Sequence, residues 1–187
     1  MTESGKTVLS KNLAKTLASK GKTVFVYDPV GVPSEWGNAK VFDDADKFSV
    51  ALKKSKSVHA FVDEAGTLFD EGNATEYNWL ATRSRHWGHS VYFISQRLVQ
   101  IPKTVRDQCN RLYLFTSSSK DGIGHAEEWN KPILTQCNRL PKLTFFSVDR
   151  YSEAKVYRIE NFSKIRPVRW RTGKKGETID SDNPTEV

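Results

Sequence analysis

Hydrophobic positions recur along the first half of the chain with two different periods. Between Val8 and Ser19, Leu9, Leu13 and Leu17 stand at every fourth position, Ala14 and Ala18 sit beside them and lysines lie opposite, the stripe of an amphipathic helix. Gly21 closes it. The run Thr23 to Tyr27 is then apolar on both faces and is stopped by Asp28-Pro29, which predicts a short buried strand. The segment 29–38 carries glycine, proline and asparagine and predicts a loop. A helix over Ala45 to Lys54 with a Phe48, Leu52 face follows, then strands at Val58 to Val62, Ser90 to Ser95 and Arg111 to Phe115, with a helix over Thr75 to Arg85 ending near Gly88. Strands alternating with helices predict an α/β domain with a mostly parallel sheet and helices on both faces.

Past Phe115 the periods loosen. A short helix is expected over Gly122 to Asn130, and the β-rich runs Leu143 to Val148 and Lys155 to Ile159, joined by Asp149 to Ala154, predict a C-terminal β-hairpin. From Gly173 onward the residues are almost all Gly, Lys, Asp, Ser, Pro and Glu, too polar to form a core. The expected organisation is one domain over residues 1–172 and a disordered tail over 173–187, with no internal repeat.

Composition narrows the class of protein. At 187 residues a single core suffices, and a hydrophobic fraction of 37% with 27% charged residues is that of a soluble globular chain. No apolar run approaches the ~20 residues of a membrane span, and no signal-peptide pattern opens the chain. Cys109 and Cys137 are far apart, without zinc or redox spacing, so a reducing setting is expected. His86 and His89 lack a third ligand nearby, which leaves no metal site of the zinc kind. Trp79, Trp87 and Trp129 fall in or beside predicted helices and are expected in the core. A net charge of +7 makes polyanions the natural partners, nucleic acid first and anionic membrane second.

The candidate chemistry lies at both ends of the helix and strand units. Gly5-Lys6-Thr7 opens the first helix and supplies what a phosphate loop needs: a glycine for close approach, a lysine for the phosphates and a hydroxyl for magnesium. Thr2, Glu3 and Ser4 would furnish the preceding loop backbone, and the helix dipole favours the anion. The full pattern G-x-x-x-x-G-K-[ST] places a glycine and a feeding strand before Met1, so the sequence is expected to begin inside the motif. Asp63-Glu64 ends an apolar strand, where a magnesium partner (Asp63) and a general base (Glu64) belong; the same pair read alone also fits a solvated turn. Gln96 closes the next strand and can bond both water and γ-phosphate, or cap a loop. Arg83 and Arg85 either reach a neighbour's nucleotide or form a solvated basic helix end.

Taken in order, Gly5-Lys6-Thr7, Asp63-Glu64 and the run from Arg85 through Gly88 to Ser95-Gln96-Arg97 resemble the FtsK-HerA superfamily of ring-forming, DNA-pumping P-loop ATPases. The resemblance covers about Met1 to Phe115. It implies a P-loop NTPase fold of the RecA/FtsK kind whose first strand is missing from the chain, with ATP and Mg2+ as cofactors. It also implies Arg85 as a trans-acting finger, with Arg83 as rival, and Gln96 as sensor. The small size is most similar to the genome-packaging ATPases of membrane-containing viruses and phages. That implies double-stranded DNA as partner, a homo-oligomeric and commonly hexameric ring, contacts with capsid vertex or membrane proteins, and a place in the virion or host cytoplasm. Lys103, Arg106, Arg111 and the segment 164–175 around Trp170 are the expected channel cations. Conjugative DNA-transfer ATPases share this chemistry, and a non-hydrolysing nucleotide-binding assembly factor is the alternative of another class.

Overall fold

The computed structural model describes residues 4–69, 74–160 and 164–170. The chain divides into two compact units, one of Thr7–Cys109 and one combining Met1–Lys6 with Asn110–Val187. Thr2, Glu3 and the expected tail over 173–187 lie outside the described residues. Among the described residues no helix is long and apolar enough to cross a membrane.

The first unit is built on a parallel sheet. Helix α1 (Lys6–Ser19) crosses into it and leads to β1 (Val24–Tyr27), β2 (Lys40–Phe42), α2 (Ala45–Lys53) and β3 (His59–Val62). Three short helices, α3 (Ala65–Phe69), α4 (Ala74–Tyr77) and α5 (Trp79–Thr82), precede β4 (Ser90–Phe93) and α6 (Lys103–Gln108). The strand order is β2-β1-β3-β4 and every pair is parallel, so all carboxyl ends share one edge and all amino ends the other. Because β1 and β3 are apolar on both faces, both faces are covered. Phe25, Tyr27, Ala60 and Val62 join Phe48, Leu52, Leu68 and Leu80 in one core, while Val24, Val26 and Phe61 join Ala14 and Trp36 in the other.

Two local differences from the sequence reading have physical causes. The helix expected over Thr75 to Arg85 is broken into α4, α5 and a 3-10 turn at Ser84–Trp87. Thr82 Oγ1 donates to the Asn78 carbonyl and Ser84 Oγ to the Leu80 carbonyl; hydroxyls that bond back in this way compete with the helix ladder. The loop over 29–38 contains a 3-10 turn, Pro33–Trp36, and then leads to β2, whose three residues are too few to show a period.

His89 joins the amino ends of β3 and β4. It is buried, and its Nδ1 accepts the Val58 N–H at 3.1 Å, a bond that only a ring unprotonated at Nδ1 can make. Burial lowers its pKa below the ordinary 6.5. A histidine depressed in the folded state costs stability once the unfolded chain binds the proton first, so stability falls as pH drops below about 6.5 toward the folded value. His89→Asn keeps an acceptor for Val58 but cannot titrate. Its melting temperature should fall less than wild type between pH 7 and pH 5; identical pH slopes would remove His89 as the cause.

The second unit carries β5 (Arg111–Phe115), α7 (Ser119–Trp129), a 3-10 segment at Pro132–Arg139, β6 (Thr144–Asp149), β7 (Lys155–Glu160) and β8 (Lys164–Val168). These strands form an antiparallel sheet in the order β5-β6-β7-β8, so the expected C-terminal hairpin (β6 with β7) is flanked on each side by a further strand. The basic stretch from Lys164 is thus strand as far as Val168. Trp170 beyond it lies edge-on to Phe146 at 5.9 Å and donates Nε1 to Gln136. Trp129 is buried with the Arg150 guanidinium 4.4 Å from its ring.

Candidate functional site

The phosphate-loop residues are described from Ser4. Gly5 has φ +109°, and a Cβ there would lie 2.9 Å from the Phe115 ring and 3.3 Å from the Leu143 backbone, so only glycine fits. The Ser4 carbonyl accepts the Leu143 N–H at 3.2 Å, which holds the residue before the turn in place. α1 begins at the next residue, Lys6, whose Nζ donates to Ser4 Oγ at 3.1 Å. A helix whose first N–H groups lie behind a glycine turn is an anion site by construction.

The carboxylates stand at the carboxyl edge of the parallel sheet. The Asp63 N–H extends the ladder to the Tyr27 carbonyl at 2.9 Å, and the Ala65 N–H reaches the Ile94 carbonyl at 2.7 Å. Between these two anchors Glu64 is forced to φ +50°, a left-handed conformation that costs a residue with a side chain roughly 1–3 kcal/mol. Glu64 accepts the Gln96 side-chain N–H at 2.9 Å, so strands β3 and β4 bring the expected base and sensor into contact.

Asp63 is buried, and its pKa is pushed up to about 6, first by burial and then by the neighbouring Asp28 carboxylate. A divalent cation would offset both effects. Thr7 hydroxyl and Asp63 carboxylate are hard oxygen donors of the kind magnesium takes, with phosphate and water completing its shell. This donor set needs no cluster of histidines, cysteines and carboxylates, and none is found among the described residues.

Three supporting residues escape motif reading. Asp28, at the end of β1, accepts the Trp36 indole N–H at 2.8 Å and the Gly31 N–H at 2.7 Å, which fixes the loop after β1. Gln100 Oε1 accepts the backbone N–H of both Gln96 (3.0 Å) and Arg97 (2.8 Å), and its side chain packs so close to Gly66 that a Cβ there would be 3.1 Å from Nε2. Arg106 donates to the Leu98 carbonyl at 3.0 Å and to that of Ile101. Gln100 therefore positions Gln96, and Arg106 pins the same loop. Gln100→Ala should lower turnover about tenfold, the worth of one to two net hydrogen bonds, with nucleotide affinity unchanged, while Gln100→Glu keeps the acceptor and most of the rate. Equal turnover in all three proteins would show that the loop needs no such brace.

Arg83 and Arg85 are exposed and lie before β4, at the amino edge. β4 is four residues long, about 13 Å at strand rise, so neither arginine shares an edge with the acidic pair of its own chain. Among the expected channel cations, Lys103 pairs with Asp107 at 3.0 Å, whereas Arg111 is exposed at the start of β5.

Solved structures of similar shape come from viral NTPases. The genome packaging NTPase B204 from Sulfolobus turreted icosahedral virus 2, in complex with AMPPCP, matches with a TM-score of 0.70 at 17% identity over 83% of this chain and 92% of that one. B204, the DNA-packaging ATPase from Sulfolobus Turreted Icosahedral Virus, matches with a TM-score of 0.68 at 16% identity, over 82% and 91% of the two chains. The ATP-gammaS complex of the former gives 0.66 at 15% identity, over 83% and 92%. At these identities the likeness is one of fold, that of a P-loop NTPase. No curated protein sequence matches the chain. The family model of the Zonular occludens toxin (Zot) matches residues 13–155, well over half the sequence, and the chain belongs to the Zot family.

Proposed function

We propose that this chain is an ATP-hydrolysing motor that moves DNA, most similar in task to the viral genome-packaging ATPases. The observation that carries the reading is the Glu64–Gln96 pair. A strained glutamate at the end of one parallel strand is hydrogen-bonded at 2.9 Å to a glutamine at the end of the next. In this assignment Lys6 and the α1 N-terminus bind the phosphates, Thr7 and Asp63 hold Mg2+, Glu64 takes the proton of the attacking water and Gln96 orients that water. The metal supplies charge neutralisation on the phosphate oxygens.

The position of Arg85 supports an assembly of several copies. Placed at the opposite edge from Asp63-Glu64, it can serve only the nucleotide of a neighbour, and a head-to-tail contact of that kind closes into rings. A homo-oligomeric ring that drives DNA into a preformed capsid is the specific form of the proposal.

ATP turnover measured alone, with double-stranded DNA and with single-stranded DNA tests the reading. DNA should stimulate turnover, and mixing Arg85→Ala with Lys6→Ala subunits should restore part of the activity each lacks. Absence of turnover under all three conditions would sink the motor; absence of rescue at every mixing ratio would sink the trans arginine alone.

A further inference from the structure

The parallel sheet of the Thr7–Cys109 unit is electrically polarised along its strands. At the carboxyl edge stand Asp28, Asp63 and Glu64, with Asp43, Asp44 and Asp46 following β2. Three of the four connections that reach the amino edge carry the cations: α1 to β1, α2 to β3, and the turn before β4. The first contributes Lys20 and Lys22, the second Lys53, Lys54 and Lys56, and all five lysines are exposed. Arg83 and Arg85 add two exposed guanidinium groups from the third. No aspartate or glutamate occurs in residues 4–27, 47–62 or 77–106, which hold these three connections, and Glu35, in the segment before β2, is paired with Lys11.

Among the described residues the five lysines have no carboxylate partner, and Lys53 lies over the Trp79 ring at 5.2 Å. Their backbone is held in place. The Gly21 N–H bonds the Ala18 carbonyl at 3.0 Å, the Lys22 N–H bonds that of Leu17 at 3.1 Å, and the Ser57 N–H bonds that of Trp87 at 2.9 Å. Helix ends account for part of the charge, because α1 and α2 finish here and cations near a helix C-terminus are favoured. That effect fades beyond the last turn, so it covers Lys20, Lys53 and Lys54 but not Lys22 or Lys56.

We propose that this amino edge is a nucleic-acid-binding surface on which lysines of the α1–β1 and α2–β3 connections contact backbone phosphates. The proposal rests on the reading of the chain as a DNA-moving ATPase and gives that reading a place of contact. Concentrated like charge without counter-charge calls for a polyanion. The carboxyl edge of a second copy is also anionic, but lysine is depleted from protein interfaces where arginine is enriched. The cations of these two connections are all lysines, solvated point charges suited to a phosphate backbone read without regard to sequence, which leaves Arg85 of the third connection to the neighbouring copy. Trp87, 36% exposed in the turn before β4, bonds the α2–β3 connection through its carbonyl at Ser57 and offers a ring beside those lysines.

The test replaces Lys20, Lys22, Lys54 and Lys56 with glutamine together in the full chain and follows DNA binding by fluorescence anisotropy across a potassium chloride series. Each lost phosphate contact removes about 0.7–0.9 from the slope of log affinity against log salt, so the slope should shrink by about 3. A second variant with Lys120, Lys131, Lys142 and Lys155 changed to glutamine carries the same charge loss on the other unit and should keep the wild-type slope. Turnover without DNA should be unchanged in both. Equal slopes in wild type and the amino-edge variant overturn the proposal, as does an equal loss in the second variant. Unchanged DNA affinity with lost self-association, or with lost binding to phosphatidylserine vesicles, overturns it in favour of a second copy or a membrane. A reduced slope in a protein that shows no turnover would leave this surface standing while the motor reading fell.

Discussion

Glu64→Gln should abolish steady-state ATP turnover while leaving nucleotide binding intact. The substitution keeps the side-chain length and a hydrogen bond to Gln96, and it removes only the ability to take a proton. General-base assistance is worth roughly 10²–10⁴ in rate, so kcat should fall by that factor and the Kd for ATP should stay within about twofold. A weaker effect, with turnover within about fivefold of wild type, would move the base elsewhere and leave Glu64 as a turn carboxylate. The backbone makes this comparison clean. φ at Glu64 is set by the two anchors on either side, Asp63 to Tyr27 and Ala65 to Ile94, which the side-chain change does not touch.

The largest stability effect should come from Phe61. It is fully buried on β3, stacks on Tyr92 with ring centres 4.4 Å apart and 9° between planes, and meets Trp36 at 6.1 Å. Phe61→Ala should destabilise the parallel-sheet unit by about 3–5 kcal/mol, and Phe61→Leu by less than about 1.5 kcal/mol. Urea unfolding followed by circular dichroism reads both. A loss under about 1 kcal/mol for the alanine variant would mean that the neighbouring aromatic rings collapse into the space, contrary to the packing of a three-ring row.

The strands that carry the candidate site were readable because they are apolar on both faces. Val58 to Val62 and Ser90 to Ile94 show that pattern, and the polar residues immediately after each run had to lie at the sheet edge. Neighbouring parallel strands then bring Glu64 to Gln96. What the sequence did not disclose depends on contacts between residues distant along the chain or without a motif. Gln100 looks like any loop glutamine until its oxygen is seen to hold two N–H groups. Asp28 reads as a strand terminator, and only the fold shows Trp36 bonded to it. Arg106 reads as a free cation and is instead a brace for two carbonyls. β2 and β8 are brief and interrupted by lysine, arginine or proline, so neither announces a period. The charge polarity of the first unit is the intermediate case. The acid-free stretches can be counted from the residues alone, but only the parallel order of the strands puts their cations on one edge.

Trp36 makes the first unit its own optical instrument. Its indole is fully buried and donates to Asp28, the carboxylate that disfavours ionisation of Asp63. A change of charge at Asp63 therefore reaches the indole dipole through a single intervening side chain. The emission wavelength of this one tryptophan should track magnesium and nucleotide arrival in unlabelled protein, separable from Trp79, Trp87, Trp129 and Trp170 by the signal that a Trp36→Phe variant loses. Ligand entry can thus be timed in a stopped-flow cuvette without attaching a dye to the protein.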